Sequence, residues 1–189
     1  MKPTIAIIHG ACGNPEENWF PWLKAKLEKR GFRVIAPKFP TPEGQNLGNW
    51  IAEMNAAIPN SGNELILIGH SIGCAFALQY IARTENRIRG AFLVAGFGGK
   101  IGKKIFDSVN ASFLGSFDWK KIREKCPKFF VYHADNDPYV PLSFGEGLAK
   151  SLGAELRIVK GAGHFNAQAG YDKFELLLKD ILEFAGESK

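Results

Sequence analysis

The chain has 189 residues, of which 46% are hydrophobic and 23% charged, and it carries a net charge of +5. That length and apolar content suit one domain, residues 1–189, with a sizeable core. No apolar run reaches the roughly 18–20 residues of a membrane span, and three scattered cysteines (Cys12, Cys74, Cys126) fit neither a disulfide framework nor paired zinc-ligand spacing.

In chain order, short apolar runs alternate with helical periodicity, which predicts an α/β fold with about six parallel strands and helices on both faces. The N-terminal apolar stretch is brief and enters a glycine turn, so it reads as a first strand, Thr4–His9, rather than a signal peptide. A cytoplasmic protein with buried or partly buried reduced thiols is therefore expected. The loop His9-Gly10-Ala11-Cys12-Gly13-Asn14 follows. Next comes a helix with Pro21 in its first turn, Trp22, Leu23 and Leu27 turned inward, and a stop at Gly31. A second strand is read at Arg33–Ala36, and a second helix from Leu47, Trp50, Ile51, Met54 and Ile58 at helical spacing.

The third strand, Leu65–Gly69, runs into Gly69-His70-Ser71-Ile72-Gly73, and an apolar helix over Cys74–Ala82 leaves it. A serine with glycines two positions away on either side, set between strand and helix, is the nucleophile-elbow pattern. Glycine lets the backbone turn sharply, and the new helix aims its first N–H groups at an anion forming near Ser71. Ile72 would then supply one oxyanion N–H, and Ala11, with Gly10 as the fallback, the second from the loop after the first strand.

A fourth strand, Arg89–Val94, precedes the irregular segment 96–126, which reads as a small cap-like insertion over the strand ends. Between Lys100 and Lys128 stand eight basic and three acidic residues, a local excess equal to the whole net charge. A solvated face is the preferred reading over attraction of an anionic substrate, because no nucleic-acid-binding motif accompanies it.

After the fifth strand, Phe129–His133, comes Ala134-Asp135-Asn136-Asp137-Pro138-Tyr139-Val140-Pro141. Ser143-x-x-Glu146 reads as the capping box of a helix closed by Gly153. The sixth strand, Glu155–Val159, leads to Gly161-Ala162-Gly163-His164-Phe165, and a last helix carries Phe174, Leu177, Leu178, Ile181, Leu182 and Ala185 on one stripe. A serine nucleophile needs a base, and the base needs an orienting acid, in the order Ser, acid, His at successive strand ends. His164 is the base of choice among four histidines: His9 is read as bracing the loop after the first strand, His70 as pointing away from Ser71 across the tight turn, and His133 as a packed side chain. Asp137 is preferred over Asp135, because Pro138 and Val140-Pro141 would anchor its loop. The glycine loops lack the spacing of phosphate or dinucleotide motifs, and no metal-ligand spacing occurs, so no cofactor or metal is expected.

Together these residues resemble the α/β-hydrolase fold. Within it, the chain is similar to the small serine hydrolases grouped with retinoblastoma-binding protein 9. The match runs from the early His-Gly turn through Gly13-Asn14-Pro15 and Trp19-Phe20-Pro21-Trp22-Leu23, the Gly-His-Ser-x-Gly elbow and Asp-x-x-Val-Pro to Gly-His-Phe. The resemblance implies Ser71, Asp137 and His164 as the triad of a compact fold lacking the first two strands of a full α/β-hydrolase. A Leu-x-Cys-x-Glu motif is absent, so no retinoblastoma-type partner is inferred.

The expectation is a cofactor-independent serine hydrolase acting on a small carboxylic ester, or an amide or peptide, with neither nucleic acid nor membrane as partner. Trp19, Phe20, Phe113, Phe117 and Phe165 are the candidate pocket walls. A binding protein on the same fold and an acyltransferase are the alternatives, and the physiological substrate and oligomeric state stay open.

Overall fold

A computed structural model describes residues 2–58 and 64–187. Six strands form one parallel sheet: β1 (Thr4–Ile8), β2 (Arg33–Ile35), β3 (Leu65–His70), β4 (Ile88–Val94), β5 (Phe129–Ala134) and β6 (Glu155–Val159), in spatial order β2-β1-β3-β4-β5-β6. Every strand lies within one residue of its expected bounds. All of β1 and β3 is buried, as an all-apolar strand covered on both faces must be. The outer strands β2 and β6 keep exposed positions.

The described residues form seven α-helices: α1 (Phe20–Glu28), α2 (Leu47–Ala57), α3 (Ile72–Arg83), α4 (Lys104–Val109), α5 (Trp119–Lys125), α6 (Leu142–Leu152) and α7 (Glu175–Ala185). Alternation along the strands sorts the core into two layers. Ala6, Ile8, Leu65, Leu67 and Leu93 pack under α2, α3, α5 and α6, while Ile5, Ile7, Ile66, Ile68 and Val94 pack under α1 and α7. α3 is buried from Ile72 through Ala82, which explains why it is apolar all round. No helix among the described residues is long and apolar enough to cross a membrane.

Three expectations need correction. α6 begins at Leu142 with Pro141 as its N-cap and no side-chain cap, so Ser143 lies inside the first turn and no capping box forms. The Pro141 carbonyl instead accepts from the Phe144 N–H at 3.0 Å. Segment 96–126 is not irregular throughout: it folds α4 and α5, the second capped by Asp118 accepting from the Lys121 N–H. Its Phe97, Phe113, Ile122 and Cys126 are buried with α3, so the segment contributes to the core as well as to the rim. Finally, Cys74 and Cys126 are buried but Cys12 is exposed, because its loop turns it outward at φ 56°.

The chain reverses direction across the sheet between β1 and β3, which are neighbours with Ile8 paired to Gly69. Such a switch point opens a crevice at the strand C-termini. The loop after β1 and the turn after β3 meet there.

Candidate active site

Ser71 links β3 to α3 at φ 56° and ψ −125°, a conformation costly for a residue with a Cβ. Its own N–H donates to the Val94 carbonyl at 2.9 Å, and its carbonyl accepts from Cys74 at 3.0 Å, which hold the turn. The flanking glycines do something different from turning. A Cβ on Gly73 would lie 2.5 Å from the Ile8 carbonyl oxygen and 2.7 Å from that of His9. A Cβ on Gly69 would lie 2.8 Å from the Cys74 backbone. Neither glycine has a positive φ. Gly73 lets α3 press against the end of β1, Gly69 lets the first turn of α3 fold back onto the end of β3, and the twist belongs to Ser71.

The loop after β1 is held against this turn. His9 Nδ1–H donates to the Gly10 carbonyl (2.8 Å), and His9 Nε2 accepts from the Phe39 N–H (3.0 Å). Burial lowers the His9 pKa, in keeping with a neutral ring that both donates and accepts. The Cys12 N–H donates to Thr41 Oγ1 at 2.7 Å and the Gly13 N–H to the Gly10 carbonyl. A Cβ on Gly10 would sit 3.1 Å from that of Ser71, so loop and turn touch. Among the described residues the N–H groups of Ala11 and Ile72 have no hydrogen-bond partner.

His164 stands in the loop after β6, between Gly163 at φ 54° and Phe165 at φ 51°. Its Nδ1 lies 2.7 Å from Asp137 Oδ2. Three consecutive residues of the β5–α6 loop secure this loop. Asp135 Oδ1 accepts from Gly161 (2.8 Å), Asn136 Oδ1 from Gly163 (2.8 Å), and Asp137 from His164 itself. From below, His70 Nε2–H donates to the His164 carbonyl at 2.8 Å, and Trp19 Nε1–H to that of Phe165 at 3.0 Å.

Asp137 Oδ1 accepts from the N–H groups of Tyr139 (2.8 Å) and Val140 (3.0 Å). Burial by itself would raise the Asp137 pKa. The His164 hydrogen bond and charge, with the two backbone N–H groups, outweigh it and lower the pKa. An ionised Asp137 accepts a hydrogen bond from His164 Nδ1–H, which leaves Nε2 as the basic nitrogen. His133 braces the same loop, donating Nε2–H to the Val140 carbonyl at 2.9 Å, and burial lowers its pKa.

Ser71 and His164 line one cleft of about 490 Å³. Phe97, Ile101 and Phe106 from the segment after β4, with Tyr139 and Val140 from the loop after β5, form its apolar part. Glu17, Asn18, Asn166 and Gln168 form its polar part, and Asn18 Oδ1 ties the two polar loops together through the Ala167 N–H. Among the described residues no lysine or arginine lines the cleft. Among the described residues no group of His, Cys, Asp and Glu could hold a metal ion.

Of the residues singled out in the sequence, Ser71, His164 and Ala11 line the cleft, Asp137 stands behind His164, and Ile72 opens α3 beneath Ser71. The five aromatic residues expected as walls are placed otherwise. Trp19, Phe20 and Phe165 are buried in the layer under α1 and α7, and Phe113 is buried beside Trp50 and Phe76. Phe117 stacks on Trp119 against the core. Sequence reading missed Glu17, Asn136 and Tyr139. Asn136 could have been noticed as the middle of Asp-Asn-Asp, since Asx side chains readily accept from loop N–H groups.

Comparisons with known proteins agree with this architecture. A family model described as serine hydrolase matches residues 5–182. YdeN of Bacillus subtilis (strain 168) is 29% identical over 184 residues, covering 96% of this chain and 95% of that protein. The serine hydrolase RBBP9 of Rattus norvegicus is 27% identical over 168 residues, covering 87% and 88%. The crystal structure of the ydeN gene product from B. subtilis superposes with a TM-score of 0.88, covering 97% of this chain and 99% of that one.

Proposed function

The chain belongs to the serine hydrolase family, and from that premise we propose that it hydrolyses a small carboxylic ester, or an amide or peptide bond, through an acyl-enzyme on Ser71. The observation that carries this reading is the 2.7 Å contact of Asp137 with His164 beside a serine held at a strained turn in the same cleft.

In the proposed sequence, Ser71 Oγ attacks the substrate carbonyl carbon while His164 Nε2 takes the hydroxyl proton. Asp137 fixes the imidazole tautomer and stabilises the imidazolium. The carbonyl oxygen becomes an oxyanion and accepts from the N–H groups of Ala11 and Ile72, which are worth on the order of a hundred- to a thousandfold in rate per donor. As the tetrahedral intermediate collapses, His164 returns its proton to the departing alcohol or amine. Water, deprotonated by His164, then attacks the acyl-enzyme, and the second collapse releases the acid and restores Ser71. The pre-formed loop after β1 supports this reading, since donors already in place cost no reorganisation during reaction. The cleft volume fits a small substrate.

A serine-directed fluorophosphonate tests the proposal. Wild-type protein is expected to label covalently and Ser71→Ala to stay unlabelled. Folded wild type that does not label would overturn the hydrolytic reading.

A further inference from the structure

Charge inside the cleft runs opposite to charge on the segment beside it. The lysines from Lys100 to Lys128 stay out of the cleft lining; Lys103 comes up to its rim, donating to the Pro138 carbonyl at 3.0 Å with Nζ 5.5 Å from the centre of the Tyr139 ring. Among the described residues the one acidic side chain that lines the cleft is Glu17. Its carboxylate is positioned rather than loose: Oε2 accepts from Asn14 Nδ2 at 3.1 Å, and Oε1 lies over Gly13, where a Cβ would come within 2.6 Å. Gly13 leaves room for the carboxylate to lie across the loop that carries Ala11. Among the described residues Glu17 makes no ion pair, so the fold leaves its charge uncompensated.

A carboxylate without a cation, half-buried in a cleft with apolar walls, is offered to the ligand. The geometry points to Glu17 as a specificity-determining residue that selects esters or amides bearing an ammonium group and disfavours those bearing a carboxylate. This rests on the hydrolytic reading above. The apolar walls would take the hydrocarbon part of such a substrate, and the Glu17 side its charge. Net protein charge acts at long range and is screened within about 8–10 Å at physiological salt, so the local carboxylate governs selection inside the cleft.

The test compares nitrophenyl esters of a trimethylammonio-alkanoic acid and of its tert-butyl isostere, which differ by a nitrogen cation in place of a carbon. Choline acetate and its carbon isostere place the same contrast on the leaving group. In wild type at low salt, kcat/KM for the cationic member of one pair is expected to exceed the neutral member by roughly three- to tenfold, the order of a partly exposed charge pair. Added salt and Glu17→Gln are each expected to bring that ratio towards one, and Glu17→Lys to invert it. Ratios within one variant cancel any general loss of activity. A wild-type ratio of one in both pairs, or a preference that survives in Glu17→Gln, would overturn the proposal. Should no ester turn over while the phosphonate still labels Ser71, protection from labelling by choline against its tert-butyl isostere reads the same ratio. Absence of labelling would instead sink the hydrolytic reading itself.

Discussion

Replacing His70 by asparagine is expected to make stability less sensitive to acid, even though it removes a buried contact. His70 is 4% exposed, packs edge-on to Trp19 and Phe20, and donates to the His164 carbonyl. Burial, then repulsion from His164, drives its pKa from 6.5 down to about 3, against the opposing pull of its backbone hydrogen bond and of Asp137. In the unfolded chain the imidazole titrates near 6.5. Between those values the unfolded state binds a proton that the native state refuses, so stability falls as pH falls through this window. At pH 5 the unfolded pKa lies about 1.5 units above the solution pH, which amounts to about 2 kcal/mol lost relative to neutral pH. That is a large share of the roughly 5–15 kcal/mol that holds a domain together. Urea unfolding of both proteins at pH 7 and pH 5 measures it. Wild type is expected to lose about 2 kcal/mol more than the variant between the two conditions. His9 and His133, whose pKa values burial also lowers, contribute the same sign to both proteins and cancel in the comparison. Equal losses in the two proteins would refute the reasoning.

Two further outcomes follow from the site. Asp137→Asn is expected to reduce kcat by about ten-thousandfold with the fold intact, as loss of the orienting acid does elsewhere, while Asp135→Asn, which removes only the Gly161 contact, costs far less; steady-state kinetics on one ester ranks them. Phe113→Ala is expected to cost about 3–5 kcal/mol of stability as a core cavity, whereas Phe106→Ala, at 41% exposure on the cleft rim, is expected to raise KM with little change in urea midpoint.

Much of the fold is legible along the chain because its signals are local. Ile5–Ile8 and Leu65–Ile68 are unbroken apolar runs beside glycine or polar breaks, which admit only strands buried on both faces. The stripe Leu177, Leu178 and Ile181 needs no tertiary context to be read as the inward face of α7. Ser143 shows where local signals fail: the spacing to Glu146 suits a capping box, but the N-cap is Pro141, two residues earlier. The aromatic residues fail for another reason. Apolar character says that Phe113 and Phe106 avoid water, not that one fills the core beside Trp50 and the other rims the cleft.

The order of the six strands and of every helix except α4 and α5, the serine at a strand-to-helix turn, and the acid and histidine after later strands were determined by sequence alone. Each depends on periodicity or turn chemistry within a few residues. Tertiary structure decided which carboxylate meets His164, 27 residues away, and that Trp19 serves from the core by holding the Phe165 carbonyl 146 residues on. It also decided the role of the elbow glycines, which make room for the first turn of α3 and the end of β1, and the sign of charge in the cleft. Those properties come from which loops converge at the β1–β3 switch point. Convergence across the sheet is set by packing of distant segments, and short-range patterns do not record it.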